Sequence, residues 1–417
     1  MLKRMFFLRL FYMLLGVFML QTAMFGQESF VEQSLVVNIE VPVRVFFNGR
    51  FVNNLKIGDF EIYEEGTKQK IEAVYLVHRG LIQRTEGKEN YFPETSRNFF
   101  LLFDVSEYNV YLRNSLNFFV NEVILPGDML QVVTPLKTYR LRQNALKLKS
   151  KKAIEEELTG ILRKDIQGAN SEHRSIIGRM KNITANLTAL LSEGNNKPMG
   201  SQLQSGDGFD DRRRIQEFMV QYQGELTRME TLRRIDQMKL LDFSYFLKGL
   251  QGQKYIFLFY EREYMPQIDP KIINQYLDLN QEHYDITHTL TELFGFHNED
   301  LTVDVEKIKR AYADSSISVH FLFFTPPKTN EPGIYFEERS GDVFNVYKEM
   351  AHSTGGFIDV SSRPDVLLKK AVETAENYYL LYYTPKEYEP DGSFKNIKVV
   401  VKDKKYAVSH RLGYFSY

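Results

Sequence analysis

The chain has 417 residues, is 43% hydrophobic and 14% aromatic, and carries a formal net charge of -1. That apolar content supports a buried core and excludes general disorder, and the neutral balance gives no electrostatic footprint for nucleic acid. The absence of cysteine excludes disulfides, thiolate metal sites, cysteine nucleophiles and lipid attachment through an N-terminal cysteine.

Residues 1–26 set Lys3, Arg4 and Arg9 before an apolar run over 10–25. This is the pattern of a secretory signal peptide, or of an N-terminal anchor if it is not cleaved. Residues 34–78 then alternate in strand rhythm from Val37, Ile39, Val41 and Val43, with Asn48 and Gly49 as a hairpin signal. They predict a small N-terminal β module. Residues 79–96 carry Gly80, Gly87 and Pro93 and read as a linker.

From residue 98 the pattern becomes strand and helix in alternation. Phe99 to Phe103 are consecutively apolar and end in Asp104 and Ser106. This is a buried parallel strand that delivers polar groups at its carboxyl end. Leu112, Leu116, Phe119 and Val123 predict a helix, which Pro126 and Gly127 end. Strands are expected over 128–134 and 137–141, and helices over 148–164 and 171–193. A Gly- and Ser-rich loop spans 194–210, followed by one long helix over 211–249. Strands over 254–260 and 317–324, with helices over 270–280, 302–313, 343–353 and 364–377, complete a mostly parallel sheet with helices on both faces. The end, 378–416, returns to strands with short polar turns. The N-terminal module and this C-terminal segment are each too short for a core of their own, so they are expected to pack together.

Three segments in this order resemble the bacterial "VWFA-related" exported proteins, first noted in acidobacteria. The first holds Val41, Pro42, Val43, Asn48, Gly49, Asp59, Phe60 and Glu65, Gly66. The second is the strand through Asp104 and Ser106 with Leu125, Pro126, Gly127 and Asp128. The third holds Thr354, Gly355, Gly356, then Tyr378 to Pro385, and Arg411, Leu412, Gly413, Tyr414. The resemblance implies an α/β, von Willebrand A-like (Rossmann-like) domain over 97–377, with a lineage-specific helical insertion at about 165–250 and flanking antiparallel β segments. It also implies a divalent-metal site opening with Asp-x-Ser-x-Ser, where this chain has Tyr108 at the last position. It implies Thr-Asp-Gly after the central strand, where this chain has Tyr260, Glu261 and Arg262. The site is therefore degenerate. Asp104 and Ser106 are its candidate metal ligands, Glu261 could compensate with charge, and Glu107 and Tyr108 are candidates for the ligand face. A third ligand among Ser171, Thr184 and Thr188 cannot be placed. No cofactor is expected, with magnesium or calcium as the alternative. Asp104 and Ser106 are equally consistent with a plain strand-end turn.

Other features point to surface. Glu282, His283, Asp285, His288, Glu292 and His297 form a local acid and His cluster, but His283 and His288 are five apart, not the four that puts two ligands on one helix face, and a solvated helix surface is expected. The basic run from Lys137 to Lys152 reads as a solvated hairpin and helix start. The expectation is an exported, non-enzymatic binding or adhesion protein of the periplasm, cell surface or medium. Its partner would be a protein, with no nucleic acid and with membrane contact only through residues 1–26. The rivals are an envelope hydrolase using acidic and His residues over 261–297, and a structural assembly factor acting through the insertion.

Overall fold

The computed structural model describes residues 37–88, 91–142, 145–196, 207–295, 303–314, 316–327 and 331–417. The signal or anchor expected at 1–26, His297 and most of the loop over 194–210 lie outside them. Among the described residues no helix is long and apolar enough to cross a membrane.

The protein is mixed α/β, with a mostly parallel sheet and separate antiparallel sheets. The central strand, Gln253–Glu261, is buried at all nine positions. It pairs in parallel with Arg97–Asp104 on one side and Ile317–Phe324 on the other. Met129–Val133 and Ile358–Ser361 extend the sheet in parallel, and Thr138–Leu141 closes one edge antiparallel. A strand buried on both faces needs continuous apolar sequence, which is what Tyr255 to Tyr260 provide. One face carries Leu101, Phe103, Phe257 and Phe259 under helices Val110–Phe118, Lys151–Ala169 and Pro364–Glu376. The other carries Phe100, Ile256, Leu258 and Phe321 under Gln237–Lys248, Val305–Ala313 and Gly341–Ser353.

Both chain ends share one antiparallel sheet. Asn377–Tyr383 runs between Ile39–Phe47 and Ile71–His78. A second sheet pairs Phe60–Glu64 with Phe394–Val401. Glu64 ties the two together, since its Oε2 accepts the hydroxyls of Tyr383 at 2.5 Å and Tyr414 at 3.1 Å. Arg44, 2% exposed, links this β region to the parallel sheet. It donates to Ser318 Oγ at 2.8 Å and to the Gly355 carbonyl.

Several expectations need correction. Leu81–Gly87 is a strand, not part of a linker. Among the described residues it pairs with Ile71–His78 alone, and an edge strand can be polar because one side faces water. The long helix over 211–249 is two, Asp207–Arg233 and Gln237–Lys248. Asp236 caps the second by accepting from Lys239 N, a signal masked by the continuous apolar stripe. The helices over 165–250 do not share one core. Lys151–Ala169 belongs to the main core through Leu158, Leu162 and Ile166. The arm proper is Ser171–Asn196 against Asp207–Arg233, joined by the Arg179–Glu225 ion pair. Its core includes Met265, Ile268, Tyr276, Ile286 and Leu290. Two short strands, Tyr264–Ile268 and Ile334–Glu338, form a ribbon beside it and had no clear signal in the sequence.

Two of the motif positions have direct structural roles. Asp128 accepts from Arg97 Nε at 2.9 Å and from its Nη2, with both side chains under a tenth exposed. Asp128→Ala would leave a buried guanidinium uncompensated, at about 3–5 kcal/mol. Urea denaturation should show this loss, and a change under about 1 kcal/mol would contradict the pair's role. Gly356 ends helix Gly341–Ser353 by donating to the Ala351 carbonyl, and a Cβ there would overlap the Val319 backbone. Gly356→Ala should therefore cost about 2–3 kcal/mol or more by overpacking, measured the same way.

Candidate functional site: a strand-end cleft

The parallel strands end on the floor of a cleft of about 1510 Å³. Asp104, Ser106, Glu107 and Glu261 reach it from the strand ends. His173 and Arg174 come from the arm, Arg233 to Asp236 from the helix break, and Ile334 to Phe336 from the ribbon. Open parallel sheets place ligand sites at this end because the strand-to-helix turns gather polar groups there.

Glu261 organises the floor. Its Oε2 accepts from Ser106 N at 2.8 Å, Ser106 Oγ at 2.5 Å and Glu107 N at 3.3 Å. It is 4% exposed, and burial raises its carboxyl, although the Ser106 bonds oppose that shift. Glu261 thus takes the partners that the strand-end turn offers. Asn109 caps the following helix by accepting from Tyr111 N and Leu112 N. At this strand-end turn it is Glu261, not Asp104, that accepts from Ser106.

Asp104 faces the cleft beside Glu263, Glu261 and Tyr347. Its side chain is exposed to the cleft. Desolvation by the protein around the cleft floor, with the charges of Glu263 and Glu261, pushes its carboxyl up to about 7, and a hydrogen bond from Tyr347 opposes the shift only partly. Burial also raises Glu263, against the pull of Arg233. Arg233 pairs with Glu263 and with Asp342 at 3.0 Å, and Tyr260 donates to Glu263 at 3.1 Å. Burial lowers His173, helped by Arg233 and Arg174.

The structure brings Asp104, Ser106, Glu107 and Glu261 together and sets Tyr108 apart. The Tyr108 ring packs against the apolar core under the sheet, so it does not stand on the ligand face. The strand ends at Asp104, and in the turn that follows Val105 and Tyr108 face the core while Ser106 and Glu107 line the cleft. Thr184 and Thr188 bond the Pro266 and Gly333 carbonyls, and Ser171 bonds the Gly168 carbonyl. None supplies a further ligand. Glu261 Oε2 already accepts three donors, and Tyr108, at the position where the resemblance implies a hydroxyl ligand, packs against the core. Among the described residues no group of three or more His, Cys, Asp or Glu is arranged to hold a metal. The acidic and His residues at 282–292 do not line the cleft. His288 pairs with Glu292 on an exposed helix surface.

Sequence reasoning missed Arg233, Glu263, Asp342 and Tyr347. Glu263 lies two residues beyond Glu261, so the strand-end position was a usable signal. The others are distant in the chain and carry no local motif.

A carboxyl raised in the folded state binds its proton more tightly there than in the unfolded chain. Its contribution to stability falls as pH climbs from the ordinary carboxylate range to the folded value. Asp104→Asn should therefore gain in melting temperature over the parent protein between about pH 4 and 7 and hold a constant gain above. Parallel thermal melts of the two proteins check this, and a gap that shrinks with rising pH would contradict it.

With the geometry in view, comparison of the chain with known family descriptions, curated proteins and solved structures finds no match.

Proposed function

We propose that the chain is an exported, non-enzymatic binding protein whose von Willebrand A-like, Rossmann-like domain recognises a protein partner at the strand-end cleft, in an adhesion or assembly role within the cell envelope. The basic and apolar start of the chain supports export. The four parallel pairings of the sheet, with helices on both faces, support the fold reading. The observation that carries the function is the cleft floor. Three donors converge on Glu261 Oε2, on the floor of a cleft large enough for peptide side chains. Binding would need no cation, so EDTA would leave it unchanged.

A hydrolase is the second reading, favoured by one observation, the raised carboxyl of Asp104 in a deep cleft. Acid–base hydrolysis by carboxylates needs two groups in different protonation states. Glu261 is committed to Ser106 and Glu263 to Arg233. Glu107 lines the same floor as Asp104, and the two would have to act as the pair.

A photo-crosslinking residue at position 107, on the cleft, should capture a discrete envelope protein. The same residue in place of Val220, which is 73% exposed on the arm, should not. Capture from position 220 alone would favour assembly through the arm. Capture from neither, with hydrolytic activity abolished by Asp104→Asn, would favour the enzyme.

A further inference from the structure

The wall of the cleft contains a free strand edge. Ile334–Glu338 pairs antiparallel with Tyr264–Ile268, with Tyr264 opposite Glu338 and Pro266 opposite Phe336. Arg339 N donates to the Glu263 carbonyl at 3.1 Å, which fixes that pair as the hydrogen-bonded type. Antiparallel pairs alternate in type along the ladder. The main chains of Glu338 and Phe336 therefore turn away from Tyr264–Ile268. The same phase appears on the partner strand, where the outward Pro266 carbonyl accepts Tyr222 Oη at 3.0 Å. On Ile334–Glu338 the Ile334 N–H is taken by the Glu331 carbonyl. Among the described residues, the N–H and C=O groups of Phe336 and Glu338 have no hydrogen-bond partner.

This edge lies in the cleft, since Ile334, Tyr335, Phe336 and Glu338 all line it. Unpaired strand edges template the pairing of another extended chain, and native proteins usually cover or blunt them. Here Tyr335 is 49% exposed and Lys181 sits over the Phe336 ring, so apolar and aromatic surface flanks the free main-chain groups. The cleft lining holds nine Asp and Glu against six Lys and Arg. Of the lining cations, Arg233 is paired with Glu263 and Arg262 with Glu338, so the cleft keeps an acidic excess in which Asp104 and Glu107 stand.

We propose that Ile334–Glu338 takes up an extended, lysine- or arginine-bearing peptide as an added strand within the cleft. Main-chain hydrogen bonds to Phe336 and Glu338 would supply affinity, and basic side chains reaching toward Asp104 and Glu107 would supply specificity. The proposal rests on the reading of the cleft as a protein-binding site and specifies the form of the partner.

The test is fluorescence anisotropy of the full chain with a labelled octapeptide of alternating valine and lysine. Three comparisons go with it: the same peptide N-methylated at alternate amides, a valine–glutamate version, and the protein variants Phe336→Pro and Asp104→Lys. Proline is tolerated on an edge strand where its missing N–H points outward, and the methylated peptide leaves the protein intact should that variant misfold. The expected result is saturable binding of the lysine peptide, weakened at least tenfold by N-methylation, by Phe336→Pro and by Asp104→Lys, with the glutamate peptide weaker still. Amide exchange at Phe336 and Glu338 should slow on binding. Absence of binding by the lysine peptide overturns the proposal, as does equal binding of its methylated form. Loss with Asp104→Lys but not with methylation or Phe336→Pro would keep the cleft as a binding site while rejecting strand addition. Binding indifferent to all three changes would reject the cleft itself.

Discussion

Everything in this fold depends on the burial of one strand, Gln253–Glu261, on both of its faces. A strand so placed can satisfy its main chain only through neighbours on each side, and Arg97–Asp104 and Ile317–Phe324 provide them. Its side chains need apolar cover above and below, which draws three helices onto each face. Parallel neighbours require crossovers, and the crossovers gather the turns after Asp104, Glu261 and Phe324 at one end. The cleft is a consequence of that geometry. The long arm grows from one crossover, between Lys151–Ala169 and Gln237–Lys248, and so comes to stand beside the strand ends.

Charge at the strand end is managed by hydrogen bonds and ion pairs. A carboxylate buried without partners is costly. Glu261 avoids this by collecting a hydroxyl and two backbone N–H groups, and Glu263 does so by pairing with Arg233. Asp104 has only Tyr347, and its acidity falls as a result. The three carboxyls thus differ in protonation tendency because they differ in partners.

The arm and ribbon share their own apolar core, built from Ile176 to Leu191, Ile215 to Met229 and the segment around Met265 to Leu293. Arg233 sits at the joint. It contacts Glu263, Asp342 and the Arg339 carbonyl, and so binds the end of the arm to the strand end and to helix Gly341–Ser353. The ribbon strand Ile334–Glu338 is anchored through Arg262 to Glu338 at 2.6 Å. The cleft walls are therefore tied to its floor by ion pairs rather than by strand pairing, which leaves the ribbon edge open.

The sequence by itself determined the elements whose signal is local. The apolar runs ending at Asp104 and Glu261, the break at Pro126 and Gly127, and the alternation of strands with amphipathic helices all follow from periodicity, which neighbouring residues set. The short β segments at the two ends were legible as strands in need of a partner face. Asp104, Ser106, Glu107 and Glu261 were legible as strand-end polar groups. Tertiary structure alone decided their roles. Glu261 rather than Asp104 captures the turn, Tyr108 turns into the core, and Arg233, Asp342 and Tyr347 arrive from segments more than 100 residues away from Asp104 along the chain. The ribbon strands also escaped the sequence, because Pro266 and the paired charges at Glu337 and Glu338 carry no strand rhythm. Their pairing is stabilised by the arm packed against them, and local sequence cannot encode a contact whose other half lies elsewhere in the chain.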